Sequence, residues 1–366
     1  MRRLAILSTV AALTMFSVAN AEDTPTQNAT LSETTATEAA AAPITEDALS
    51  AAVTAYAAFQ TDITDLRGTR INSSADLEGA LETATRHNRD ALTRGWIAYG
   101  AYTAGQSQAF VQGVRDAAAY YGRDSILEAI VADNRYARAL RGGDDATRIV
   151  LESAQADSAR VIDVADRYQE MAYGLQRQRW ANAVAPGQSA RVQHVRDNNA
   201  AGSAEVPLAD ELTAQLAPAL LSLSPEQTPT AFGGRRFWDG PAPAGVVQVS
   251  SEAPHAWRAN PTRAEAIDRM TTIAAIQALG AAEERSAVIE TTLADPRSRD
   301  CIEISQLQLY QCMSAARFRY ENAFCLGQHA LRDIGTCIAN VGQPAPASTA
   351  LINQPAPSGS APVSAQ

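Results

Sequence analysis

Cys301, Cys312, Cys325 and Cys337 are the side chains whose type and spacing first promise chemistry. They are all the cysteines of the chain and form one stretch, C-x10-C-x12-C-x11-C. Thiols bind metals, exchange electrons or pair as disulfides. Metal and redox sites keep their sulfurs close in sequence, as in C-x-x-C, so that one turn presents both to the same atom. The chain has no C-x-x-C, no C-x-x-C-H haem attachment and no zinc spacing. Four widely spaced cysteines read instead as two structural disulfides, which require an oxidising compartment.

Other catalytic constellations are sparse. His87, His194, His255 and His329 are scattered without ligand spacing, and G-x-S-x-G, H-E-x-x-H and G-x-G-x-x-G do not occur. All 30 basic residues are arginine. Without lysine there is no Schiff base, no P-loop lysine and no Ser-x-x-Lys nucleophile. Two carboxylates suffice for glycan hydrolysis, so an envelope glycan hydrolase stands as an alternative. Glu152-Ser153 resembles the Glu-Ser start of lytic transglycosylase sites, without that family's other motifs. No cofactor and no metal is expected. One loop mixes aromatics, arginines and glycines: Phe232, Arg235, Arg236, Phe237 and Trp238 form a candidate interaction loop.

The disulfide reading depends on export. Residues 1–21 have Arg2 and Arg3, an apolar run from Leu4 to Val18 and the small-x-small site Ala19-Asn20-Ala21. They read as a signal peptide cleaved after Ala21. The run is about 15 residues, short of the roughly 20 of a spanning helix, so no transmembrane span is expected after cleavage. The periplasm is the expected location, with secretion as runner-up. The formal net charge of −10 disfavours nucleic acid and anionic membrane surfaces as partners. An envelope protein or the cell wall is the expected partner; oligomeric state is not legible.

The elements that position these residues read as all-α: a multi-helix bundle with long antiparallel helices and a disulfide-stapled C-terminal hairpin. Residues 22–44 form a Thr/Ala/Glu-rich leader expected to be disordered. Residues 45–186 form the bundle. Leu49, Val53, Tyr56, Phe59, Ile63 and Leu66 make the stripe of a first helix that stops at Gly68. Ser74 starts a second. Gly105, Ala109, Gly113 and Ala117 recur at four-residue steps, which predicts a close helix contact and one helix or two short ones. A helix is expected over Asp124–Arg141. Another of about 40 residues, ~60 Å long, is expected from Asp144-Asp145 to Pro186-Gly187, with a break near Asp157. Trp96, Tyr99, Tyr102, Tyr120, Tyr121, Tyr168, Tyr173 and Trp180 read as the core of this half. The rival readings are a pocket for a small apolar ligand and a sugar-stacking groove for the glycan hydrolase.

Residues 187–259 read as a Pro/Gly-rich connector with a short helix carrying Leu208, Leu212, Leu216 and Leu220. Residues 260–342 hold the C-terminal helices, beginning with Asn260-Pro261 as N-cap and first helical position. Residues 343–366 read as a disordered Pro/Ala/Ser tail.

Four cysteines allow three pairings. On one helix Cys301 and Cys312 would lie about 16 Å apart, and a bridge needs Cα atoms within roughly 7 Å. The nested pairing, Cys301–Cys337 with Cys312–Cys325, is therefore favoured, with the turn near Phe318–Glu321; the other pairings stay open. In its spacing logic this hairpin resembles the twin Cys-x-n-Cys helical hairpins of the mitochondrial intermembrane space, over about 37 residues and with no function implied. Two features resist it: Arg317-Phe318-Arg319-Tyr320-Glu321 contains no good turn residue, and the second arm is out of phase. Cys325 and Cys337 are 12 steps apart, which puts them about 120° apart around a straight helix at 100° per residue.

Overall fold

The computed structural model describes residues 45–185, 187–201 and 257–345. The expected signal peptide, the leader, the Leu208–Leu220 stripe and the Phe232–Trp238 loop lie outside them.

Helix α1 (Thr45–Gly68) buries the whole expected stripe. α2 (Ser74–Thr85) begins where the Ser73 hydroxyl accepts from Asp76 N at 3.2 Å, and α3 (Arg89–Ala104) where Asn88 caps Asp90 N at 2.8 Å. α3 runs antiparallel to α1: His87 meets Phe59, whereas Gly95 lies against Ala52 and Tyr56. A Cβ at Gly95 would sit 2.5 Å from the Ala52 oxygen, so only glycine allows this approach.

The small-residue stripe divides between two helices. Gly105 closes α3, and Ser107 caps α4 (Gln108–Tyr121) through Phe110 N at 3.2 Å. The close contact is made by α4 with a turn. A Cβ on Gly113 would collide with the Arg141 carbonyl, and Gly142, at φ 81°, lies against Ala109.

The helix expected over Asp124–Arg141 is two helices, α5 (Arg123–Ala132) and α6 (Asn134–Ala139). Asp133 breaks it because its carboxylate accepts from Arg135 N at 3.0 Å and caps α6. α7 (Gly143–Leu175) has 33 residues, about 50 Å, and continues through Asp157. It stops well before Pro186. The chain then turns over Gln178–Asn182 and pairs with the hairpin bend, Ala185 N donating to Arg317 O at 2.9 Å.

Residues 188–201 are helix α8 (Gln188–Ala201), not loop. Only Val192, Val195 and Asn199 are buried there, too few positions to make a visible period. Strand β1 (Trp257–Ala259) pairs antiparallel with β2 (Gly342–Pro344), so the expected tail starts with an ordered strand. Asn260 caps a turn through Thr262 N at 3.1 Å, and α9 starts later (Ala264–Ala278). α10 (Ser286–Thr292) follows, then α11 (Pro296–Ala315), which Asp295 caps through Ser298 N at 3.0 Å.

The C-terminal arm is α12 (Arg319–Cys325), a π-turn over Leu326–Arg332 and α13 (Asp333–Ala339). The structure joins Cys301 to Cys337 and Cys312 to Cys325, with Cα atoms 5.8 and 5.7 Å apart. The π-turn removes the phase difficulty. Bonding i→i+5 instead of i→i+4 winds roughly 18° less per residue, so seven residues take back about 120°. Cys325 and Cys337 thus face α11 together. The second arm has one residue more between its cysteines than the first, and the π-turn absorbs it. Gly327 and Gly335 serve closeness: a Cβ at Gly327 would lie 2.9 Å from Ala165 O, and one at Gly335 3.0 Å from Ile162.

α3 lies at the centre, touching α1, α7, α9 and α11. α7 runs parallel to α1, with Tyr56 opposite Asp157 and Leu66 opposite Tyr168, and antiparallel to the π-turn and α13. Among the described residues no helix is long and apolar enough to cross a membrane.

Candidate functional site

A concave apolar surface lies where α7 ends against the stapled hairpin. α7 and its C-cap contribute Ala172, Tyr173 and Gln176; α11 and its C-cap contribute Cys312, Ala315 and Ala316; α12 contributes Tyr320, Glu321, Phe324 and Cys325. The groove has a volume of about 300 Å³ and is open to solvent. Tyr173 is 63% exposed and Phe324 37%. The Cys312–Cys325 bridge lines it, and small alanines beside the bridge leave the space.

The local sequence explains the shape. α11 stops at Ala315, and the backbone is extended at Ala316 and Phe318. The bend lies there, slightly ahead of the expected Phe318–Glu321, and it contains no glycine. Tertiary bonds hold it instead: the Glu321 carboxylate accepts from the backbone N–H of Arg317 and, at 2.8 Å, of Phe318. Tyr320 N donates to Ala181 O at 3.2 Å. Phe318 stacks on Tyr320 with centroids 5.7 Å apart, and the Arg317 guanidinium lies 5.5 Å above Phe318.

Titratable groups that could do chemistry are buried and engaged. Asp62, on α1, receives Arg86 Nε at 2.7 Å and lies 2.6 Å from His87 Nε2. Burial would raise its pKa, but the hydrogen bonds from His87 and Arg86 outweigh that and hold it below the usual carboxylate value. The geometry is that of an oriented imidazole. His87, however, is only 3% exposed, and the closed cavity it lines with Thr85, Asn199, Gln306 and His329 measures about 10 Å³. That is room for about one water and no substrate. Asp268 has one arginine, Arg138 Nε at 2.5 Å, and here burial prevails and raises the pKa. Tyr56 donates to the buried Asp157 at 3.1 Å and receives Gln60 Nε2 at 3.0 Å. The Asp62 and Tyr56 clusters bind α1 to its neighbours, and Arg138–Asp268 ties α6 to α9.

The loop residues Phe232, Arg235, Arg236, Phe237 and Trp238 lie outside the described residues, as does His255. His194 is exposed, and His329 is 2.7 Å from Asp333 on its own arm. Glu152 pairs with Arg148 at 3.1 Å on the outside of α7. Among the described residues no three His, Cys, Asp or Glu side chains converge for a metal.

The aromatic half divides. Trp96, Tyr99, Tyr102 and Tyr168 are core, whereas Tyr120, Tyr121 and Tyr173 are exposed, contrary to expectation. Tyr173 had a legible signal: five residues after the buried Tyr168, it falls about 140° off that face at 100° per residue.

No family model, no curated protein and no solved structure matches the chain.

Proposed function

We propose that this protein is a helical scaffold or interaction protein of the bacterial envelope, exported through residues 1–21 to the periplasm. The observation that carries the reading is where the surface offers contact. An aromatic groove is held rigid by a disulfide and a capped bend, while the oriented imidazole and the buried carboxylates sit out of a substrate's reach. Two disulfides suit an oxidising compartment. The glycan hydrolase alternative drew on the aromatic helices as a groove. With Trp96, Tyr99, Tyr102 and Tyr168 in the core, that support falls away. An apolar-ligand bundle would need an internal cavity larger than the one beside His87.

Photo-cross-linking in the native envelope, from a probe placed at Gln176, tests the proposal. The expected result is a discrete set of envelope proteins. A zymogram on purified cell wall showing lysis by the purified protein would overturn the scaffold reading in favour of the hydrolase.

A further inference from the structure

The groove carries an inference that rests on the interaction reading and makes it specific. We propose that the α7–hairpin groove docks a peptide segment of a partner protein that presents one bulky apolar side chain flanked by carboxylates.

The apolar half of the argument is geometric. Exposed aromatics scattered singly need no explanation. Tyr173 and Phe324 instead converge on one concavity whose floor is a disulfide and alanine side chains. A volume of about 300 Å³ takes one large side chain and little more. The bridge and the Glu321 cap fix the walls in advance, so little ordering cost falls on binding.

The charged half selects the partner. The protein carries a net charge of −10, yet the chain beside the lining residues Gln176 and Ala316 is rich in arginine. Arg177 and Arg179 follow the end of α7, Arg317 opens the bend, and all three are exposed. None has an ion-pair partner among the described residues. Many arginines are matched, as in Arg123–Glu284, Arg191–Glu78 and Arg332–Asp166, although exposed ones such as Arg167 and Arg196 likewise have no ion pair among the described residues. The carboxylate inside the groove, Glu321, is turned to the backbone N–H groups of Arg317 and Phe318 and is one charge against the three arginines. Three guanidinium groups without a carboxylate partner, borne by residues that flank the lining in the chain, complement acidic residues around an apolar anchor and disfavour a basic segment.

The test uses the purified full-length oxidised protein and fluorescence anisotropy with labelled ten-residue peptides. The probe carries a central Trp-Leu flanked by glutamates; one control replaces Trp-Leu by serines and another replaces the glutamates by lysines. The expected result is saturable, salt-sensitive binding of the probe alone. Tyr173→Ala with Phe324→Ala, and separately Arg177→Glu with Arg179→Glu, should each weaken it about 10-fold or more, with thermal unfolding unchanged. Equal binding by the variants, equal binding of the lysine peptide, or no binding of the probe would overturn the proposal. So would probe binding that appears only after deletion of residues 205–221, since this chain's own leucine- and acid-bearing segment would then be the occupant. Cross-linking in the envelope separates the two levels. Cross-links that persist in the Tyr173/Phe324 variant sink the groove and leave the scaffold reading, whereas none even in the parent sinks the scaffold reading.

Discussion

Removing the outer staple should cost this protein more than removing the inner one. Cys301 and Cys337 are 36 residues apart, and Cys312 and Cys325 are 13 apart. Each bridge acts mainly by shrinking the unfolded ensemble, and the loss grows with the logarithm of the loop it closes. The inner loop is worth about 3 kcal/mol on that relation. The outer loop, with the inner already closed, is effectively about 24 residues and worth about 3.5 kcal/mol. Cys337, beside Ser305, and Cys325 are both buried, so alanine in either bridge adds up to ~1 kcal/mol for the void. Urea unfolding of three variants checks this: Cys301→Ala with Cys337→Ala, Cys312→Ala with Cys325→Ala, and all four together. The expected losses are roughly 4.5, 4 and 8 kcal/mol, with a larger denaturant slope as the unfolded chain expands. An outer-bridge variant that loses less than ~1 kcal/mol, or a quadruple variant no weaker than either double, would refute the reasoning. Non-reducing peptide mapping that joined Cys301 to Cys312 would do the same.

Deleting one residue from the π-turn, for instance Gln328, should let that arm become continuous α-helix with the cysteines 11 apart, as on α11. Both bridges should still form, as read by mass spectrometry after thiol blocking, whereas an alanine inserted after Leu307 should leave free thiols. Asp62→Asn should destabilise by about 2 kcal/mol at pH 7, because His87 and Arg86 lose a buried carboxylate. The sign with pH follows from the lowered folded pKa: the pair contributes above the unfolded value near 4, and its contribution is lost as pH falls through the folded value. The gap between parent and variant should therefore close in urea melts toward pH 3. Asp268 is raised and works the other way, its contribution present below about pH 4 and lost as pH rises through the folded value. Gly113→Val should cost upwards of ~2 kcal/mol by forcing α4 away from Arg141. A thermal shift of less than a few degrees would count against that close contact.

Much of the fold was legible because its determinants are local. The α1 stripe, the Gly68 stop and the Ser74 start follow from side-chain period and backbone preference, which act within a turn or two of helix. Helical rise disfavours pairing Cys301 with Cys312 along one helix, which favoured the nested geometry without excluding the crossed one. Where the reading failed, a local signal was weak or had competition. Asp133 is a helix-interior residue by position and a cap by its side chain. α8 has three buried positions in two dozen ångströms or less, so its period is faint. The π-turn appears in sequence only as one residue too many, a phase error without a location. Packing against Ala165 and the two bridges decide where that residue is absorbed.

The groove and the polar clusters belong to tertiary structure altogether. Tyr173 could be seen to leave its helix's buried face, but nothing in the chain placed Phe324 beside it. Asp62 with His87, and Tyr56 with Asp157, are separated by 25 and 101 residues. The sequence by itself determined the helical class, the expectation of export, the disulfide pairing it favoured and the enzyme classes that a lysine-free chain excludes. Composition and near-neighbour spacing suffice for those. Which aromatics are core and which are offered to solvent, and which charges are spent and which stay free, were decided only when distant helices met. Burial and pairing are properties of neighbours in space, and the order of residues along the chain does not specify those neighbours singly.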